Sequence, residues 1–92
     1  MYITVRRYEN AGALADAMIP ASGEINDLMS EIAGFVSYYA TRNGDTMTSI
    51  TVCEDKAGCD ESTRLAGTWV KENVKSLPDA PDVSGGDVFI SF

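Results

Sequence analysis

Residues 35–54 read FVSYYATRNGDTMTSITVCE, and this stretch decides the fold. Phe35 to Thr41 is rich in aromatic and β-branched side chains, which suit a pleated strand. Asn43-Gly44-Asp45 follows, and Asn and Gly tolerate the positive φ that a tight hairpin turn requires. From Thr46 to Glu54, Ile50 and Val52 alternate with Ser49, Thr51 and Cys53, the period-two pattern of a returning strand. The middle of the chain is therefore predicted to be a β-hairpin.

Toward the N-terminus, Leu14, Met18, Ile25, Leu28, Met29 and Ile32 recur at three- and four-residue steps, as on an amphipathic helix. Pro20 inside this pattern removes a helical hydrogen bond and clashes with the preceding turn, so a kink or break is predicted between Pro20 and Gly23, with Gly34 as the stop. Met1 to Tyr8 alternates again, Ile3 and Val5 on one face and Tyr2, Thr4, Arg6 and Tyr8 on the other. Toward the C-terminus, the Asp55 carboxylate is placed to cap a second helix running to about Ser76. Its inner face reads Leu65, Ala66, Trp69, Val70 and Asn73, with Asp60 and Arg64 as a solvated pair outside. Pro78 and Pro81 impose an extended connection, and Val83 to Phe92 reads as a last strand with Val88 and Ile90 suited to a core and a bulge or bend at Gly85-Gly86.

The order β-α-β-β-α-β makes residues 1–92 one α+β domain of the ferredoxin-like kind, an antiparallel four-stranded sheet with two helices on one face. The aliphatic set Ile3, Val5, Ile50 and Val52 is expected to face the helices. That leaves Tyr2, Thr4, Arg6, Tyr8, Met47, Ser49, Thr51 and Cys53 on the helix-free face, an aromatic and semi-polar surface that a second copy would cover. A chain of this size buries a modest core, which adds a motive for a homodimer.

Seven Lys plus Arg against fourteen Asp plus Glu give a net charge of −7, so nucleic acid and anionic membrane surfaces are not expected partners. No apolar run is long enough to span a bilayer and no signal segment opens the sequence, which points to the cytoplasm. Cys53 and Cys59 stand without a single His, which removes the usual Cys/His zinc patterns; they read as free, partly buried thiols, a redox pair being the alternative. The same lack of His removes the Ser-His-Asp and Cys-His arrangements, and no glycine-rich phosphate loop opens a helix after a strand.

The opening Tyr2-Ile3-Thr4-Val5-Arg6-Arg7-Tyr8, the Gly34-Phe35-Val36-Ser37-Tyr38-Tyr39 segment and the helix from Glu61-Ser62-Thr63-Arg64-Leu65-Ala66 to Trp69-Val70 together resemble the dimeric α/β barrel superfamily that includes antibiotic biosynthesis monooxygenase-like domains. The resemblance spans nearly the whole chain. It implies two sheets packed across a dimer axis and a ligand site between each sheet and its helices. It also implies a functional role for Trp69, which lies where cofactor-independent quinone-forming members carry a tryptophan on the second helix. Their asparagine one turn earlier and tyrosine further along correspond here to Leu65 and Lys75, and the iron-ligating histidine of the haem-degrading branch has no counterpart.

Six residues are singled out. Trp69 either fills space among Leu65, Ala66 and Val70 or stacks a substrate ring, and Arg6 either pairs with an acid or binds a carboxylate or enolate. Tyr8, with whichever of the consecutive Tyr38 and Tyr39 shares its face, is a ligand-binding or interface residue, and Asn73 either bonds the chain or reaches a ligand. The expected functions are a monooxygenase or isomerase-like enzyme, working without metal or organic cofactor on a small aromatic or polyketide-like molecule, or a non-catalytic dimeric module that binds a small ligand or supports another protein.

Overall fold

The computed structural model describes residues Met1 to Phe92. Its elements run β1 (Tyr2–Tyr8), α1 (Gly12–Met18), α2 (Ser22–Ser30), β2 (Phe35–Asn43), β3 (Thr46–Cys53), α3 (Lys56–Asn73) and β4 (Asp82–Asp87). The central hairpin turns where expected, with Gly44 at φ 61°. Gly34 is not the helix stop expected of it: α2 already ends at Ser30, and Gly34 at φ 80° instead turns the chain into β2. The predicted break is present: α1 stops at Met18, and Pro20 lies in the turn before α2. At the start of α3 the Asp55 carboxylate accepts the Gly58 N–H at 3.0 Å. Gly58 is needed there for a second reason, since a Cβ would lie 3.0 Å from Cys53 Cβ and 3.2 Å from the Ala33 carbonyl oxygen.

All neighbouring strands are antiparallel in the order β2-β3-β1-β4, so the last strand returns beside the first and the hairpin forms the other half of the sheet. This is the ferredoxin-like α+β arrangement. Paired residues share a face. One face carries the rows Phe35–Cys53–Tyr2–Asp87, Tyr38–Thr51–Thr4–Gly85 and Ala40–Ser49–Arg6–Val83, then Arg42–Met47–Tyr8. The opposite face carries Ser37–Val52–Ile3–Gly86, Tyr39–Ile50–Val5–Ser84 and Thr41–Thr48–Arg7–Asp82.

The helices cover the first of these faces, which reverses the expected division. Thr4, Arg6, Tyr8, Met47, Ser49, Thr51 and Cys53 are buried, whereas Ile3, Val5, Ile50 and Val52 are only half-buried on the helix-free side. The physical reason lies in the helices. Leu14, Met29 and Trp69 bring large side chains that pack on Tyr8 and Met47, while Cys59 and Ser62 bring small ones that leave room for Arg6. The covered face is thus a mixed aromatic, sulfur and hydroxyl core, and its polar atoms are mostly matched across the helix–sheet boundary.

Three smaller expectations are corrected. β4 ends at Asp87, because pairing follows β1 only as far as Met1, whose carbonyl accepts the Val88 N–H at 2.9 Å; Phe89, Ile90 and Phe92 beyond it are exposed, so Ile90 is not a core residue. α3 ends at Asn73, where Val74 turns extended and buries its side chain instead of prolonging the helix. The outer ion pairs of α3 are Lys56–Asp60 at 2.8 Å and Glu61–Arg64, not Asp60 with Arg64. Both cysteines are free and fully buried, Cys59 Sγ donating toward the Tyr2 and Thr51 carbonyls, and burial beside Cys59 pushes the Cys53 thiol up to about 11. No helix is long and apolar enough to cross a membrane, and no group of three or more His, Cys, Asp or Glu is gathered to hold a metal ion.

Candidate functional site

The broken first helix stands off the β2 half of the sheet and leaves a cleft of about 570 Å³. Ala15 and Met18 of α1 and Ile25 and Met29 of α2 form one wall, and Phe35, Tyr38 and Met47 form the other. A register shift between Phe35 and Ser37 bulges β2 here and brings Val36 onto the lining. Polar groups sit toward the rim, where Arg42 is held by Asp16 at 2.8 Å.

Behind Tyr38 and Met47 lies a small void of about 30 Å³, lined by Tyr8, Ser49, Trp69 and apolar side chains. That is room for a water molecule. Met18, Ile25, Met29, Tyr38 and Met47 line both spaces, so the void lies just behind the side chains that wall the cleft. Two residues that line the void, Ser49 and Trp69, each carry a buried polar atom with no hydrogen-bond partner, Oγ and Nε1. Burial raises the pKa of both the Tyr8 and Tyr38 phenols, against an opposing pull from the nearby positive Arg6. Both therefore stay neutral around pH 7 and can donate a hydrogen bond.

Arg6 lies behind this inner end, fully buried. It makes no salt bridge, contrary to the ordinary ion pair the acidic composition suggests. Its Nη1 donates to Ser62 Oγ and Thr63 Oγ1, both at 3.1 Å, and its Nη2 to Thr51 Oγ1 at 2.9 Å, while Nε has no partner. Ser62 and Thr63 in turn donate to the Cys59 carbonyl at 2.6 and 3.3 Å, which orients their lone pairs toward the guanidinium. Arg7 points the other way and pairs with Glu9 at 2.9 Å near the strand end.

Of the six residues singled out from the sequence, Arg6, Tyr8, Tyr38 and Trp69 are brought together around the inner end. Tyr39 is not: it is 59% exposed on the helix-free face, since consecutive strand residues point to opposite sides. Asn73 is not either. It is exposed, and its Nδ2 bonds the Trp69 carbonyl at 2.9 Å, one turn back on the same helix. Sequence reasoning missed Ser49 and the hydroxyl set around Arg6. The available signal was Ser62-Thr63 on the face of α3 that also carries Ala66 and Trp69, where apolar residues would otherwise be expected.

No family model matches the sequence, and no curated protein matches it. Solved structures do match. SnoaB, a cofactor-independent oxygenase from Streptomyces nogalater, superposes with a TM-score of 0.68 at 13% identity, over 98% of this chain and 94% of its own. NE2512, a protein of unknown function from Nitrosomonas europaea, gives 0.67 at 17% identity over 99% and 91%. A monooxygenase from the gene ActVA-Orf6 of Streptomyces coelicolor, in complex with nanaomycin D, gives 0.60 at 12% identity over 98% and 92%. At these identities the likeness speaks for architecture, and at that level it supports the resemblance read from the sequence: the chain has the ferredoxin-like α+β fold of antibiotic biosynthesis monooxygenase structures.

Proposed function

We propose that residues 1–92 act as one domain that binds a small aromatic or polyketide-like molecule in the cleft and oxygenates it without a metal or organic cofactor. The observation that carries this reading is the inner end of the cleft, where apolar side chains shared with the void adjoin Ser49 and Trp69, whose Oγ and Nε1 are buried without a partner, beside two neutral phenols. A planar ring held between Met18, Met29 and Tyr38 would direct a ring oxygen toward donors already desolvated and fixed in place. Such donors favour charge that develops on that oxygen when an electron-rich phenol or enol reacts with dioxygen. One oxygen atom enters the substrate and the other leaves as water, with the substrate supplying all the electrons as it becomes a quinone. SnoaB, of the same fold, is a cofactor-independent oxygenase, which agrees with this chemistry.

The second reading, binding without turnover, is favoured by a specific observation: no carboxylate or imidazole lines the cleft or the void, so the site offers no evident base. An oxygen electrode separates the two. With an anthrone or a naphthol as substrate, the protein should accelerate oxygen uptake, and Trp69→Phe and Tyr38→Phe should each lower the rate about tenfold or more. Asn73→Ala should leave it unchanged. Quenching of the fluorescence of Trp69, the only tryptophan, without oxygen uptake would assign the protein to the binding class.

The helix-free face supports a homodimer, because its aliphatic rows are left half-buried and Tyr39 on the same face is exposed. Two free thiols and an acidic surface suit the cytoplasm.

A further inference from the structure

The electrostatics of the cleft narrow the ligand class, granted the binding reading above. Fourteen carboxylates are distributed over this chain, yet none lines the cleft or the void behind it. The charged groups that are there are cationic: Arg42 at the rim, held by Asp16, and Arg6 behind the inner end. Arg6 is the unusual one. It is fully buried, its Nη groups have only neutral hydroxyl partners, and its Nε has none. A guanidinium cannot shed its proton to escape such a place, so its charge stays, and hydroxyl dipoles offset only part of what water or a carboxylate would. In a protein of net charge −7 with acids to spare, the missing counter-charge is a feature of the site and not of the composition.

We infer that the counter-charge is brought by the ligand: the inner end of the cleft holds an oxygen anion on a planar aromatic body, with Ser49 and the Tyr8 and Tyr38 hydroxyls donating to it and Arg6 acting through them. The placement agrees with this. Ser49 is the direct cross-strand neighbour of Arg6, and Tyr8 lies two residues along the same strand face. Both phenols feel the guanidinium charge, which polarises each O–H toward whatever stands in the void. Ser49 Oγ, 1% exposed and next to the Tyr38 hydroxyl, makes no hydrogen bond of normal length and so has a proton to give there. Arg6 is on this account a positioning residue that sets which charge the cleft accepts.

Isothermal titration calorimetry on the full chain at neutral pH tests the inference with two probes of one shape, 2-naphthoate and 2-naphthalenemethanol. The anion should bind about tenfold or more tighter than the alcohol, the range of a hydrogen bond to a charged group. Arg6→Met should remove the preference while leaving binding of the alcohol. Should that variant fail to fold, Ser49→Ala and Tyr38→Phe, which keep the Arg6 bonds to Ser62, Thr63 and Thr51, should each narrow the ratio. The anion could be a carboxylate or a phenolate, and 2-naphthol distinguishes them: a phenolate site lowers the pH at which bound naphthol ionises, read by absorbance, whereas a carboxylate site favours naphthoate and leaves naphthol unmoved. Equal affinities for naphthoate and the alcohol, with naphthol ionisation unshifted, overturn the inference and leave an aromatic cleft standing. No binding of any probe overturns both.

Discussion

At the scale of single residues, two hydroxyls on the same face of β3 make opposite predictions. Thr51 and Ser49 are two positions apart, and both are essentially inaccessible to solvent. Thr51 Oγ1 accepts from Arg6 at 2.9 Å, whereas Ser49 Oγ has no partner. Removing an acceptor from a buried cation leaves a desolvated charge less compensated, so Thr51→Val should destabilise the fold by about 2 kcal/mol although its shape is kept. Ser49→Ala removes an atom whose polar neighbour, the Tyr38 hydroxyl, is too far for a normal hydrogen bond, and should change stability by no more than about 0.5 kcal/mol. Urea unfolding of the two variants at one protein concentration checks the pair. A large loss at Ser49 would mean that its hydroxyl is tied into the core, and the donor proposed for the ligand would then be unavailable. Arg6 shows where residue-level reading stops: the sequence offered acids in plenty, and nothing in one dimension reveals that the residues reaching it are Ser62 and Thr63, fifty-six and fifty-seven positions away.

At the scale of elements, β4 is held against β1 by the absence of a side chain. A Cβ at Gly85 would lie 2.7 Å from the Ile3 carbonyl oxygen and 3.0 Å from the Tyr2 ring, and backbone cannot yield there without breaking the ladder. At Gly86, one residue on, a Cβ would meet nothing within 4 Å. Gly85→Ala should therefore cost about 2 kcal/mol or more and loosen the edge strand, visible as faster amide exchange along Val83 to Asp87, while Gly86→Ala should stay within about 0.5 kcal/mol. Equal effects would show that both glycines act only through chain flexibility. Element boundaries of this kind were largely legible in the sequence, since a proline, an Asn-Gly turn and a capping aspartate each act within a few residues of themselves. Pro20, Gly44 and Asp55 do what their chemistry predicts. The end of β4 was not legible, because it depends on how far β1 runs beside it.

At the scale of the whole molecule, the question is which face of the sheet the helices take, and local pattern could not answer it. A strand's period of two separates Ile3, Val5, Ile50 and Val52 from Thr4, Arg6, Ser49 and Thr51 with equal clarity whichever set lies inward. Hydrophobicity alone places the aliphatic set under the helices, but the molecule keeps that set for its other side. The consequence is a stronger motive for self-association than the reversed arrangement would have supplied. The row Tyr39–Ile50–Val5–Ser84 crosses the middle of the helix-free face, flanked by Val52 and Ile3. An interface of about 800 Å² per partner would cover roughly a seventh of the 5670 Å² surface of one copy. Light scattering should then give about twice the 9.9 kDa chain mass. Because each copy carries −7, the pair repels at long range, and salt screens that repulsion without weakening apolar contact; the dimer should dissociate more readily at low ionic strength than at high. Ile50→Asp puts a desolvated carboxylate at the centre of the row and should yield a monomer with its circular dichroism retained, since the helix-covered face of β3 is untouched. A wild-type chain that stays monomeric at every concentration and salt would instead leave these rows as solvent-facing apolar surface, and would remove the dimer from the account of this site.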